Sequence, residues 1–404
     1  MKYDQKAMPV DGNRSAFVGV SSNVPGQPKI FFDLDKLSTH TLVAGATGSG
    51  KTVAAQVLVE EALKKGVSVV VFDPTAQWTG FLRPQKNQEM LSRYSDFGLS
   101  SSDAQGFKGT IQIPKSDDEH LDFERLMKPG ALTVFCLNRL KRSDSLEDGA
   151  QKANQRTRET SKSLNKMDAM LAYLKRTDLS AQSAGASPTE QFVSNSIMQV
   201  FDANFPESGN LKMLLVYDEV HRLLPKFGGT GHGFRQIERA VREFRKWGVG
   251  LILISQVLSD FVGEIRANIG TEMQMRTKYE GDLDRVNLKY SEEALHAVVK
   301  SPIGTGLVQN AEYNRGFPFM VSFRPLLHNI VRLSDAELAK IQEYNNKLDA
   351  YVVEVEKAKK KGADLFDLEL ELNLARDKIQ EGSFNIVDVC LESMAPKISE
   401  LKKL

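Results

Sequence analysis

The sequence has few cysteines, no long apolar run and almost no net charge, and each shortage excludes a class of protein. Cys136 and Cys390 are too few for a disulfide framework or a zinc cluster, so a reducing, cytoplasmic setting is expected. No apolar run approaches the ~18 residues that span a bilayer, and the polar segment Met1–Arg14 lacks the apolar stretch of a signal peptide. With a formal net charge of +1, binding to nucleic acid would require a local patch or a shared pore.

The composition is that of an ordinary globular protein. Of 404 residues, 41% are hydrophobic and 26% are charged, which excludes a mostly disordered chain, a collagen-like chain and a coiled-coil rod. Short apolar runs alternate with helical segments, and this pattern predicts βαβ units, a mainly parallel sheet and an α/β fold. The runs expected to be strands are Thr41–Ala44, Val67–Phe72, Ala131–Leu137, Met213–Tyr217 and Gly250–Ser255.

Three parts are expected along the chain. Residues 1–28, rich in Gly, Pro, Asn and Ser, predict a loosely structured segment, and residues 29–330 form the core. Within the core, the polar stretch 141–190 is predicted to be a partly helical insertion, and Gly306–Arg324 is predicted to form a β-hairpin. Residues 331–404 are expected to form a helical extension of about three helices.

The strongest motif follows the first predicted strand of the core. It reads Gly45-Ala46-Thr47-Gly48-Ser49-Gly50-Lys51-Thr52 and fits the phosphate-loop pattern G-x-x-x-x-G-K-[ST]. Its glycines let backbone N–H groups point at phosphates, and the next helix offers its N-terminus to the same anion. Lys51 is expected to neutralise phosphate charge and Thr52 to bind Mg²⁺. The position between a strand and a helix argues against a chance glycine-rich turn.

A second motif ends another apolar strand, Leu214-Leu215-Val216-Tyr217-Asp218-Glu219. This is the Walker B arrangement, in which Asp218 holds Mg²⁺ and Glu219 orients and deprotonates the attacking water. The alternative is an ordinary strand followed by an acidic helix cap.

Two further polar residues follow predicted strands. Gln256 faces the ligand crevice if the sheet is open and parallel, where it would sense the γ-phosphate or align the water; the alternative is a solvent-facing turn. Asp73, before Pro74, is either part of a plain turn or a lining of the nucleotide crevice.

The segment Gln236–Trp247 is a predicted helix dense in basic residues. One interpretation is a solvated face stabilised by i,i+4 ion pairs. The other is an arginine finger, in which Arg242 or Arg245 reaches the γ-phosphate of a neighbouring subunit.

Together these motifs resemble the HerA–FtsK superfamily of P-loop ATPases, in particular its HerA-like branch. The residues that carry the resemblance are His40, Gly45–Thr52, Phe72-Asp73-Pro74, Val216–His221, Arg242–Gly248, Ile254-Ser255-Gln256 and Phe323-Arg324-Pro325-Leu326. The resemblance implies a RecA-like core assembled as a ring, most often a hexamer, with ATP between subunits and DNA or protein drawn through the central hole. The 28 residues before the core are too few for the β-barrel with which HerA-type proteins usually begin, so no barrel is expected.

The first functional hypothesis is therefore an ATP- and Mg²⁺-dependent ring motor that moves along or unwinds double-stranded DNA. Candidate pore loops are Lys226–Phe234 and the basic part of the insertion, 141–176, and the helical extension is a candidate binding element for a partner such as a nuclease. The alternatives are a conjugation- or secretion-type motor with protein cargo, and a nucleotide-gated binding module with little turnover. The motor hypothesis requires the Lys51 loop and the Asp218-Glu219 strand end to lie on adjacent strands, with the Arg242–Arg245 face open to a second copy.

Overall fold

The computed structural model describes residues 2–114, 116–117, 119–138, 140, 187–223, 232–258, 261, 264–360 and 365–401. The strands in these ranges are β1 (Ser15–Ser21), β2 (Lys29–Asp33), β3 (Thr41–Ala44), β4 (Ser68–Asp73), β5 (Gly109–Gln112), β6 (Leu132–Cys136), β7 (Met213–Tyr217), β8 (Val249–Ser255), β9 (Thr271–Met275), β10 (Thr305–Asn310) and β11 (Phe319–Phe323). The α-helices are α1 (Lys51–Lys64), α2 (Gln88–Ser92), α3 (Phe123–Leu126), α4 (Pro188–Asp202), α5 (Val220–Leu223), α6 (His232–Glu243), α7 (Glu264–Ala267), α8 (Glu280–Lys289), α9 (Glu292–Lys300), α10 (Asp335–Lys360), α11 (Phe366–Glu381) and α12 (Phe384–Leu401).

The strands form one mixed sheet in the order β2-β1-β11-β10-β9-β3-β8-β7-β4-β6-β5. From β9 to β5 every neighbouring pair is parallel, whereas β10, β11, β1 and β2 extend the β9 edge as antiparallel strands. The parallel part confirms the predicted α/β class, and the β10–β11 pair confirms the predicted hairpin.

Helices cover both faces of the parallel part. Successive residues of a strand contribute to different cores: Val69 and Val71 lie in the core that contains α1, and Val70 and Phe72 lie in the core that contains α4 and α6. This is the expected arrangement when side chains alternate across a strand that is buried on both faces. The predicted strands agree with β3, β4, β6, β7 and β8 to within one residue at each end.

One expectation about the N-terminal segment is wrong. Residues 1–28 contain β1, which pairs with β2 on one side and β11 on the other. Ala16 and Val18 are fully buried, so this strand belongs to the core rather than to a loose segment. Gly19 obscures the strand pattern in the sequence, yet it is required there because a Cβ would lie 2.0 Å from the carbonyl oxygen of Ser322.

The C-terminal extension forms the three helices α10, α11 and α12, as predicted. Leu338, Leu372 and Val387, one from each helix, join the core on the α1 face of the sheet. None of the helices in the described ranges combines the length and apolar character needed to cross a bilayer. Most of the predicted insertion, 141–186, lies outside the described residues, and so do the second candidate pore loop, 141–176, and residues 226–231 of the first, Lys226–Phe234.

Candidate functional site

The phosphate loop connects the end of β3 to the start of α1. Gly48 and Gly50 have φ values of 76° and 94°, which side chains rarely permit. These conformations curl the backbone so that the N-terminus of α1 begins at Lys51. The tip of the loop is exposed, whereas Lys51 is only 6% exposed. A strand, a curled glycine loop and a helix N-terminus form a cradle that suits a chain of phosphates.

The Walker B residues reach the phosphate loop across an intervening strand. Lys51 Nζ lies 3.3 Å from Glu219 Oε1, although β8 separates β3 from β7. The expectation that the two motifs lie on adjacent strands is therefore wrong. Adjacency was too strict a requirement for the motor hypothesis, because Lys51 and Glu219 are in contact across β8. Two strand spacings amount to about 10 Å, and the long Lys51 side chain, starting from the first turn of α1, covers part of that distance.

Glu219 is the centre of a small polar cluster. Gln256, just beyond the end of the intervening strand, donates from Nε2 to Glu219 Oε2 at 3.4 Å. His221 Nδ1 lies 3.4 Å from the same oxygen. The backbone of Glu219 has φ 49°, a conformation that costs a non-glycine residue free energy and that is enriched at functional sites. Lys51, Glu219 and Gln256, chosen from separate motifs in the sequence, are thus within contact distance.

Asp218 lies deeper than Glu219, with 1% of its surface exposed. Its Oδ2 accepts a hydrogen bond from Trp78 Nε1 at 2.9 Å, and its Oδ1 accepts one from the Glu219 backbone N–H at 3.0 Å. Burial, reinforced by the nearby charges of Asp73 and Glu219, raises the pKa of Asp218 to about 7. A bound cation would favour the ionised form.

The donor chemistry of Asp218 and Thr52 fits Mg²⁺. Asp218 offers carboxylate oxygens, and Thr52, half-buried in the first turn of α1, offers a hydroxyl oxygen; both are hard oxygen ligands of the type this ion binds beside phosphates. The pKa of Asp218 is raised because the hydrogen bond from Trp78 and the charge of Lys51 do not offset its burial and the negative charges of its neighbours.

Asp73 has a structural role that the sequence left open. Its carboxylate accepts hydrogen bonds from the backbone N–H groups of Thr75 at 2.9 Å and of Trp78 at 2.8 Å. These bonds fix the turn after β4 and, through it, the indole that donates to Asp218. Burial raises the pKa of Asp73, and its hydrogen bonds oppose that effect.

The basic segment lies at the opposite end of the parallel strands from the phosphate loop, next to the amino end of β8. Arg242 and Arg245 are exposed, and the Gly248 N–H that caps this segment binds the Arg245 carbonyl just before β8 begins. Gln256 follows the other end of the same seven-residue strand, roughly 20 Å away at ~3.3 Å per residue. The two arginines are therefore remote from the phosphate loop of their own chain. The predicted i,i+4 pairing is also present, between Arg239 and Glu243 at 3.1 Å.

Several contacts at the site carry no recognisable sequence signal. Trp78 belongs to a turn that matches no motif. Two backbone bonds hold the phosphate loop from the β9–β10 side: Ala46 N–H donates to the Arg276 carbonyl at 2.9 Å, and Gly304 N–H donates to the Ser49 carbonyl at 3.1 Å. Of the contacts that the motifs did not predict, the one made by His221 could have been found from the sequence, because His221 follows the Walker B pair within the same turn.

The fold and the site together define a P-loop ATPase with a RecA-like core. Residues 21–199 match the model of the family described as "Helicase HerA, central domain". This match confirms the resemblance to HerA-like P-loop ATPases that the motifs showed. The matched range includes the phosphate loop and Asp73 and ends before β7 and β8.

The solved structures that this chain resembles are distant from it in sequence. The pCW3 conjugation coupling protein TcpA, in its monomer form with ATPgS, is 16% identical, with a TM-score of 0.38 over 85% of this chain and 73% of that one. VirB4 of Thermoanaerobacter pseudethanolicus is 12% identical, with a TM-score of 0.43 over 78% and 97%. The genome packaging NTPase B204 from Sulfolobus turreted icosahedral virus 2, in complex with AMPPCP, is 11% identical, with a TM-score of 0.37 over 70% and 97%. No curated protein matches the sequence.

Proposed function

We propose that this protein hydrolyses ATP at a site shared between subunits of a ring and uses the reaction to move along or unwind double-stranded DNA. The observation that carries the ATPase part is the convergence of Lys51, Glu219 and Gln256 at the carboxyl edge of the parallel strands. In an open parallel sheet this edge is where ligands bind.

Each side chain has a role that follows from its position. Lys51, held 3.3 Å from Glu219, neutralises the charge of the terminal phosphates. Glu219 orients the attacking water and accepts its proton, while the Gln256 amide, which contacts Glu219, aligns that water or senses the γ-phosphate. Thr52 and Asp218 hold Mg²⁺, which balances phosphate charge when it is bound.

The location of the arginines supports a shared site. Arg242 and Arg245 are exposed and lie at the sheet edge remote from their own phosphate loop, so only another subunit would present a phosphate to them. A head-to-tail contact between copies, repeated with closure, produces a ring.

The ATPase proposal is tested by nucleotide binding and turnover in two variants. Lys51→Ala should lose ATP binding, because the cradle loses its cation. Glu219→Gln should keep binding but lose about 10²- to 10⁴-fold in rate, the contribution of a positioned base. Glu343→Gln, on the exposed surface of α10, is the matched control and should behave as wild type. Turnover by Glu219→Gln at the wild-type rate would contradict the assigned base.

The cargo is tested separately, by measuring the ATPase rate with and without duplex DNA at low salt, where electrostatic binding is strongest. We expect DNA to stimulate turnover. Neither stimulation nor binding would remove the DNA part of the proposal. Strong DNA-independent turnover would then favour protein cargo, whereas negligible turnover with tight nucleotide binding would favour a gated binding module.

A further inference from the structure

A turn between α9 and β10 packs directly against the phosphate loop. Gly304 in this turn donates its N–H to the Ser49 carbonyl at 3.1 Å and accepts the N–H of Phe323 at 2.9 Å. The approach to Gly50 is equally close, since a Cβ on Gly50 would lie 2.8 Å from the Gly304 nitrogen. The turn is thus fixed to the loop on one side and to β11 on the other.

This turn presents an apolar side chain to solvent beside the loop. Ile303 is 60% exposed, and its Cγ2 lies 3.8 Å from the position that a Cβ on Gly50 would occupy. Ser301 and Gly304, at the two ends of the turn, are buried, whereas Pro302 and Ile303 between them are exposed. The turn is therefore anchored at both ends with Ile303 outward. An exposed apolar group held this firmly next to a phosphate cradle is suited to contact a ligand.

The arrangement of strands gives the direction of a bound nucleotide. Glu219 and Gln256 lie on the β8 side of β3, so the reacting terminal phosphate is on that side. The remainder of the nucleotide must leave the loop elsewhere. On the opposite side of β3 lie β9 and β10, whose ends hold the loop through the Arg276 carbonyl and the Gly304 N–H.

The geometry points to a nucleoside subsite on the Ser301–Gly304 turn, with Ile303 as an apolar platform for the ribose and base of the nucleotide. The inference rests on the proposed ATPase function and extends it. The turn supplies an apolar surface and its Gly304 N–H is already bonded to Ser49. Ile303 therefore contributes affinity for the nucleoside without selecting one base over another.

The experiment compares ligands with and without a nucleoside. Calorimetric Kd values for ADP and for inorganic tripolyphosphate would be measured on wild type, Ile303→Ala and Ile303→Leu. Truncation to Ala should weaken ADP binding by about 5- to 10-fold, the effect of losing a partly buried aliphatic contact, and should leave tripolyphosphate binding unchanged. Ile303→Leu should restore most of the ADP affinity. Val331→Ala removes an apolar side chain that is 62% exposed in another loop, and it should change neither Kd.

Two results would overturn the inference. One is an unchanged Kd for ADP in Ile303→Ala. The other is an equal loss of affinity for ADP and tripolyphosphate, which would show that the turn shapes the phosphate loop and does not contact the nucleoside. Lys51→Ala separates this from failure of the underlying function. If that variant binds both ligands as wild type does, the phosphate loop itself is not the nucleotide site.

Discussion

At the scale of single residues, Asp218 combines a buried carboxylate with neighbours of the same charge. Burial, Asp73 and Glu219 together raise its pKa to about 7, against an ordinary value of 3.8, and the hydrogen bond from Trp78 only partly opposes them. A group whose pKa is higher in the folded state makes folding less favourable as the pH rises between the two pKa values. Without a cation, ionisation of Asp218 therefore costs stability at neutral and alkaline pH.

Replacing Asp218 with Asn should remove this pH dependence. Since the amide does not ionise, the free energy of unfolding of Asp218→Asn relative to wild type should increase from pH 5 to pH 8, by on the order of 3 kcal/mol from linkage. Urea unfolding at several pH values, without nucleotide or Mg²⁺, measures the change. The comparison uses the slope against pH because the amide also loses one of the two hydrogen bonds at any pH. A constant difference across this range would show that the Asp218 pKa is close to normal.

The residues of the site differ in how far the sequence predicts them. Lys51, Glu219 and Gln256 follow strands whose apolar runs are easily recognised. Because these strands are parallel, their carboxyl ends, and so the three residues, lie at the same end of the sheet. Trp78 is different, because its contact with Asp218 depends on a turn fixed by Asp73. Such contacts between distant turns depend on tertiary packing, for which a single sequence has no periodic signal.

At the scale of elements, the phosphate-loop helix is tied to the rest of the fold by a buried ionic cluster. Arg324, just after β11, pairs with Glu60 at 2.6 Å and with Glu61 at 2.7 Å, both on α1. His328 Nδ1 lies 2.6 Å from Glu60. Burial alone would raise the pKa of Glu60, but Arg324 and His328 outweigh it and lower the pKa to about 2. The cluster therefore fixes α1 against the chain segment that leads to α10.

Arg324→Ala should destabilise the protein by about 3–5 kcal/mol, because it leaves a buried carboxylate without its partner. Since the Glu60 pKa is lowered in the native protein, its stabilising contribution is present above pH 4.5 and lost as the pH falls towards 2. The cost of the variant, measured by urea unfolding, should accordingly shrink as the pH is lowered. Arg315→Ala removes a pair in which the arginine side chain is 72% exposed and should cost less than about 1 kcal/mol. Similar losses in both variants would contradict the assigned role of burial.

This cluster also shows a limit of sequence patterns. The motif Phe323-Arg324-Pro325-Leu326 is recognisable as a family feature, but its partners are not. Adjacent carboxylates on a helix predict a solvated face, whereas Glu60 and Glu61 are buried, because β1 and the segment after β11 pack over that side of α1. β9, with the polar sequence Thr271–Met275, was missed for a related reason: Glu272 is paired with Arg285 at 2.7 Å inside the fold.

At the scale of the whole molecule, the two halves of the proposed active site lie at opposite edges of the sheet. The phosphate loop and Glu219 are at the carboxyl edge of the parallel strands, and Arg242 and Arg245 are before the amino end of β8. A site shared between subunits requires this separation. Each copy then presents its phosphate loop to one neighbour and its arginines to the other.

Mixing inactive variants tests this arrangement. Lys51→Ala subunits keep their arginines, and subunits of the double variant Arg242→Ala/Arg245→Ala keep their phosphate loop, so a mixed ring contains complete sites. An equimolar mixture should recover up to about a quarter of the wild-type ATPase activity if subunits assort at random head-to-tail. The control mixture of Lys51→Ala and Glu219→Gln should stay inactive, because both changes affect the same half. No recovery in the first mixture, with mixed assembly shown by mass, would place the arginines outside the site.

The last strand of the sheet, β5, is covered by side chains of α10. Asn345 Nδ2 donates to the Ile111 carbonyl at 2.9 Å, and Gln342 Nε2 donates to the Ile113 carbonyl at 3.2 Å. Two amide side chains thereby occupy acceptors that another strand would otherwise bind. The helical extension thus protects the β5 edge from pairing with the sheet edge of another molecule. A chain shortened before Asp335 would expose this edge strand and should aggregate.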